Sequence, residues 1–251
     1  MPESILETRG LVREFGRFRA VDGVDLQIAE GTIHGLIGPN GAGKTTCFNL
    51  LSKFLEPTEG TIRFQGRDIT AMRAADVARL GLVRSFQISA VFLRLSVLDN
   101  VRVALARTGG VSPYSFWHSE KTLRMHDVRA HELLADVGLA DEEATVAATL
   151  PYGQKRALEL ATTLALEPTM LLLDEPTAGM GYEEVERITA LIRRVQRGRT
   201  ILMVEHNLSV VAGLCSTITV LTRGKVLAEG AYAAVANHPD VIAAYLGTEH
   251  A

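Results

Sequence analysis

The chain is poor in the residues that mark several protein classes. Its 2 cysteines, Cys47 and Cys215, lie far apart and without C-x-x-C spacing, which argues against a disulfide framework or zinc ribbon and leaves small buried thiols. Neither sign of charge dominates. With 26 Lys+Arg against 29 Asp+Glu the net charge is -3, and a nucleic-acid-coating surface is not expected. Aromatic residues reach only 6%, with a single tryptophan. No apolar run approaches the ~20 residues of a membrane-spanning helix; the richest, residues 170–173 and 201–204, are strand-sized. The opening Met1-Pro2-Glu3-Ser4 has neither the basic nor the apolar part of a secretory signal, so the chain is expected in the cytosol. No internal repeat or low-complexity tract is present.

What is present suffices for a core: 47% hydrophobic and 22% charged residues in a chain of 251. Short β-type runs alternate with helical patterns: residues 32–37 then 44–54, 169–173 then 183–196, 200–204 then 207–214. This order predicts βα units around a parallel sheet with central strands apolar on both faces. Val185, Ile188, Leu191, Ile192 and Val195 recur at three- and four-residue steps, as on a helix laid against a sheet. Between residues 5 and 28, and again over 60–64, β-rich runs with glycine turns at Phe15-Gly16, Asp22-Gly23 and Gln65-Gly66 predict a small antiparallel sheet. From Val97 to about Glu167 the pattern is almost wholly helical, a subdomain inserted between two halves of one sheet. His126 and His131, five residues apart, do not align on one helix face and read as solvated rather than metal-binding.

The chemistry concentrates in Gly38-Pro39-Asn40-Gly41-Ala42-Gly43-Lys44-Thr45-Thr46, which fits G-x-x-x-x-G-K-[ST] between a strand and a helix. Glycines let such a loop curl with its N-H groups inward. Together with the positive end of the following helix they hold phosphate oxygens; Lys44 adds a mobile charge for the β- and γ-phosphates, and the Thr45 hydroxyl can ligate Mg2+. Downstream, Met170-Leu171-Leu172-Leu173 runs into Asp174-Glu175-Pro176, two carboxylates at the carboxyl end of a strand, where α/β proteins bind ligands. Asp174 is placed to hold Mg2+, and Glu175 to orient or deprotonate the water that attacks the γ-phosphate.

The phosphate loop, Ser85-Phe86-Gln87, Leu150-Pro151-Tyr152-Gly153-Gln154-Lys155-Arg156, residues 171–177 and Val204-Glu205-His206, in that order, resemble the ATP-binding cassette of ABC transporters over essentially the whole chain. The resemblance implies an α/β P-loop NTPase fold with a mainly parallel sheet, a small antiparallel β subdomain and a helical insertion. Residues 1–87 and 167–251 then make the catalytic core and residues 88–166 the helical subdomain of one nucleotide-binding domain. It implies that Gln87 reaches Mg2+ and the attacking water and joins core to arm, that His206 contacts the γ-phosphate, and that Phe15 stacks on adenine, with Val21 grouped as nucleotide-binding. Tyr152, Gly153 and Gln154 stand in the signature segment, which faces the ATP of a second subunit.

Two departures from the family pattern stand out. The common signature is Leu-Ser-Gly-Gly-Gln, and Pro151 removes from it a hydroxyl and an N-H, donors each worth ~1.5 to 3 kcal/mol toward a charged group. Ala178-Gly179-Met180-Gly181 stands where Ser-Ala-Leu-Asp is common, so the usual acid is missing at Gly181. The Tyr-Gly-Gln signature, Val204-Glu205-His206-Asn207-Leu208 and the tail from His238 to Gly247 resemble the ATPase subunits of branched-chain and hydrophobic amino-acid importers. That resemblance implies a second ATPase subunit in a homo- or heterodimer, two membrane permeases, an indirectly engaged solute-binding protein, and a peripheral position on the cytoplasmic face of the inner membrane. Relatives that serve urea or short amides, and ATPases of exporters or lipid-transport systems, share the same chemistry.

Overall fold

The computed structural model describes residues 3–85, 91–108 and 126–246. Two long strands, β1 (Ser4–Phe15) and β2 (Phe18–Ala29), form a hairpin, followed by β3 (Ile33–Ile37) and helix α1 (Lys44–Leu51). Then come β4 (Glu59–Phe64), β5 (Arg67–Asp68), α2 (Ala74–Arg79) and β6 (Leu82–Ser85). The arm contributes α3 (Val97–Thr108), α4 (Asp127–Asp136) and α5 (Tyr152–Leu164). The chain returns with β7 (Met170–Asp174), α6 (Tyr182–Val195), β8 (Thr200–Val204) and α7 (Leu208–Leu214). It ends in β9 (Thr217–Thr222), β10 (Lys225–Gly230), α8 (Tyr232–Ala236) and α9 (Pro239–Leu246).

The strands make two sheets. One is antiparallel, in the order β2-β1-β4-β5; the other runs β10-β9-β3-β8-β7-β6, parallel throughout except for β10. In β3, β7 and β8 every residue is buried, as strands covered on both faces require. The two-residue period sorts them: Leu171, Leu173, Ile201 and Met203 pack under the arm and α6, while Met170, Leu172, Leu202 and Val204 pack with Phe48 and Leu51 of α1 and the antiparallel sheet. The first cluster continues without a break into Val97, Val101, Leu133, Leu158 and Leu164, so the arm shares one core with the sheet.

α6 buries Ile188, Leu191, Ile192 and Val195, the stripe expected from sequence, each such side chain contributing ~1.5 to 3 kcal/mol. α1 ends at Leu51, before the expected Phe54, because Lys53 adopts a φ of 61° and sends its ammonium to the Thr70 carbonyl. The turn expected at Asp22-Gly23 is absent. Those residues lie inside β2, where pairing jumps from Leu11–Val24 to Val12–Asp22 and Gly23, with a φ of 71°, forms a bulge. Both cysteines are free thiols, and burial pushes each up to about 12. His131 pairs with Glu143, and among the described residues no cluster of three or more His, Cys, Asp or Glu could hold a metal.

Candidate nucleotide site

The order β3-β8-β7 brings the expected chemistry onto neighbouring strands. Val204 of β8 pairs with Leu36 on one side and Asp174 on the other, so the loops after all three strands open side by side at about 4.8 Å per strand. The phosphate loop leaves β3, Asp174 and Glu175 leave β7, and His206 leaves β8.

Two glycines in the loop are required by their surroundings. Gly38 has a φ of 149°, and a Cβ there would stand 2.2 Å from the Leu221 carbonyl oxygen; at Gly43, φ 98°, it would stand 2.3 Å from that of Ala20. The loop is thus pressed against its supporting backbone. α1 follows Gly43 with no side-chain cap and no acid in its first turn, leaving its N-H groups to an anion. The Lys44 ammonium donates to the carbonyls of Gly38 at 2.6 Å and Pro39 at 2.9 Å, folded over its own loop. Burial lowers the Lys44 pKa, and the Glu175 carboxylate opposes that shift. Thr45 is exposed and Thr46 half-buried.

Asp174 is buried and ion-paired with Arg84, which engages its Oδ2 oxygen. Arg84 also donates to Asn49 Oδ1 at 2.6 Å, and its guanidinium lies 5.0 Å from the Phe48 ring centre and 5.4 Å from that of Phe54. Glu175 is half-buried with a φ of 45°, a conformation costly for a residue with a side chain, and its N-H donates to the Val204 carbonyl at 2.9 Å. His206 is exposed, whereas Glu205 before it is 1% exposed. The Glu205 carboxylate accepts from the Thr177 N-H and hydroxyl and from the N-H groups of His206 and Asn207.

The remaining expected residues sort differently. Phe15 is 45% exposed at the end of β1, with the Arg13 guanidinium 4.8 Å from its ring centre. Val21 is wholly buried in the cluster that holds Leu36 and Phe48. Its neighbour Ala20 backs the phosphate loop at Gly43. Gln87 lies outside the described residues. Tyr152, Gly153 and Gln154 open α5 in the helical arm, with Pro151 as N-cap and Tyr152 exposed. The Gln154 amide oxygen is buried without a hydrogen-bond partner among the described residues. A Cβ on Gly153 would come within 3.2 Å of Glu184 Oε1, so the start of α6 touches the signature helix of the same chain.

Three residues that make contacts at the site have no role assigned to them from the sequence: Arg84, Glu184 and Glu205. Arg84 and Glu205 adjoin motif residues, and the signal that could have found them is a charge where the strand pattern calls for an apolar residue. A cleft of about 560 Å³ between the phosphate loop and α9 is lined by Pro39, Asn40, Arg223 and Asp240; Lys44, Asp174 and Glu175 do not line it, so it is not the catalytic cleft.

A curled phosphate loop at a parallel strand end, with a lysine inside it and a carboxylate pair one strand from His206, defines a P-loop nucleotide-hydrolysing protein. The family model of the ABC transporter matches residues 21–178, and that of the branched-chain amino acid ATP-binding cassette transporter matches residues 225–251. The high-affinity branched-chain amino acid transport ATP-binding protein BraF of Pseudomonas aeruginosa is 38% identical, over 98% of this chain and 99% of its own. LivG of Escherichia coli, which carries the same description, is 37% identical over 98% and 99%. A solved nucleotide-free ATP-binding cassette from an ABC transporter superposes with a TM-score of 0.84 at 29% identity, covering 97% of this chain and 99% of that one. The chain belongs to the ABC transporter family, as an ATP-binding subunit whose ATP hydrolysis is coupled to transport.

Proposed function

We propose that the chain is one ATPase subunit of an importer for branched-chain or other hydrophobic amino acids. The observation that carries the enzymatic part is the meeting of the phosphate loop, Asp174–Glu175 and His206 on three adjacent strand ends. The solute class rests on the match at residues 225–251 and on the relatives' described transport.

In this reading the triphosphate displaces the Gly38 and Pro39 carbonyls as partners of Lys44, which moves from its own loop to the β- and γ-phosphate oxygens. The N-H groups of residues 41–46 receive the same phosphates, and the half-exposed ring of Phe15 stacks on the base. The donor set fits Mg2+: Thr45, an exposed residue, carries a hydroxyl, and Arg84 engages only Oδ2 of Asp174, oxygen ligands of the kind taken by an ion that completes its shell with phosphate and water. Thr45 and Asp174, with Gln87 as the family resemblance implies, would hold Mg2+, which would neutralise charge on the transferring phosphoryl group. Glu175 takes the proton of the attacking water, and His206 binds the γ-phosphate.

One chain carries one phosphate loop and one signature helix, on different parts of the fold, so a complete site needs a second cassette, identical or paired. Residues 88–166 form the arm toward the permeases. Phe92, Leu93 and Val146 are exposed there on neighbouring segments joined by the Ala148 N-H to Leu93 carbonyl bond, an apolar patch fit for a membrane subunit. Among the described residues no helix is long and apolar enough to cross a membrane, and the proposed position is peripheral, on the cytoplasmic face, with a solute-binding protein engaged only through the permeases. The test is Glu175→Gln: ATP binding persists, turnover falls ~10² to 10⁴-fold, and an ATP-bound dimer accumulates on size-exclusion chromatography. Undiminished turnover rejects the assignment.

A further inference from the structure

We infer that Glu205 is a positioning residue that locks His206 to the loop bearing Asp174 and Glu175. This rests on the reading of His206 as the γ-phosphate contact. The geometry is a two-sided clamp. Oε1 accepts from the Thr177 N-H at 3.0 Å and from the Thr177 hydroxyl at 2.5 Å; Oε2 accepts from the N-H of His206 at 2.9 Å and of Asn207 at 3.1 Å. Thr177 follows Glu175 by two residues, so one carboxylate joins the exit of β7 to the exit of β8. The Glu175 N-H to Val204 carbonyl bond adds a second tie between the same loops.

A carboxylate 1% exposed is a costly way to fasten two loops if fastening is all that is needed. Its advantage is that it is acceptor-only on both oxygens, so it receives four donors at once, two from each loop. An amide of the same shape cannot. With its NH2 toward His206 and Asn207 it opposes two N-H donors; turned round, it opposes the N-H of Thr177. The exposed His206 ring therefore stands on a backbone whose place relative to Glu175 is set by Glu205, and a shift of about 1 Å between catalytic groups is enough to cost ~10²-fold in rate. Glu205 touches neither the phosphate loop nor Lys44 through any of these bonds, so its loss falls on turnover rather than on nucleotide affinity.

The experiment is a double-mutant cycle in the assembled complex, by single-turnover hydrolysis of Mg-ATP with protein in excess, using Glu205→Gln, His206→Ala and the pair, with Thr177→Val as a milder break on the opposite side of the clamp. Thermal melts and nucleotide titration accompany each variant. Expected are a 10- to 100-fold loss of rate in Glu205→Gln with ATP affinity within about threefold, a smaller loss in Thr177→Val, and no further loss when Glu205→Gln is added to His206→Ala. Equal losses from Glu205→Gln in both backgrounds, or no loss at all, overturn the inference. A silent His206→Ala identifies the failure as that of the His206 reading, on which the clamp's purpose depends. If Glu205→Gln melts below the assay temperature, Thr177→Val takes its place in the cycle: a loss that vanishes in the His206→Ala background supports the clamp, and an equal loss in both overturns it.

Discussion

Arg84 accounts for a carboxylate buried beside apolar strands. Asp174 lies at the end of β7 with little access to water, and the Arg84 guanidinium, which lies against the Phe48 and Phe54 rings, faces it as an ion-pair partner. The same arginine reaches Asn49 on α1, so the strand carrying Asp174 and the helix behind the phosphate loop share one hydrogen-bonded group. Replacing it by methionine keeps the volume and strands the carboxylate. Arg84→Met is expected to lower stability by about 3 to 5 kcal/mol in urea unfolding, and adding Asp174→Asn to return part of that loss. An Arg84→Met protein as stable as the parent would mean that the pair contributes nothing.

Among the elements, α5 opens on Pro151 where the common signature has serine, and its geometry gives that difference a cost. Pro151 serves as N-cap with extended backbone and no side-chain oxygen, so no side chain satisfies the first N-H groups of the helix. A serine there restores a cap worth about 1 kcal/mol and returns the hydroxyl and N-H that the common signature directs at the facing subunit's ATP. In the assembled complex Pro151→Ser is expected to raise ATP turnover several-fold; an unchanged rate means that this half-site is not limited by its proline. The Glu184 carboxylate lies against Gly153, where an added Cβ would meet its Oε1 at 3.2 Å, so the start of α6 borders this helix.

Across the molecule as a whole, the arm and the sheet share a core yet present different surfaces. Asn100, 1% exposed, accepts from the Phe92 N-H and donates to the carbonyls of Phe92 and Ser96, fixing the loop on which Phe92 and Leu93 stand exposed. An apolar pair held by a buried amide is a built surface rather than a frayed one. Phe92→Asp with Leu93→Asp is expected to leave the melting temperature and nucleotide binding of the isolated chain close to the parent's and to abolish co-purification with co-expressed permeases. Retained co-purification would move the docking site elsewhere.

Whatever depends on neighbours along the chain was legible in the residues themselves. The apolar strands β3, β7 and β8, the stripe of α6, the glycine-rich loop and the carboxylates after Leu173 all belong here, because periodicity and turn chemistry are local. Even the antiparallel hairpin was legible, apart from the bulge at Gly23, which looks like a turn until its partner strand is known. Which groups meet was decided by the folded chain: Arg84 with Asp174, Glu205 with Thr177, Glu184 with Gly153, and Lys44 with the carbonyls of its own loop. Folding also placed Val21 wholly inside the core. The reason is physical. A pattern of residue types encodes the face each side chain takes, whereas the partner it finds there is set by strand register and helix packing, which no single segment carries.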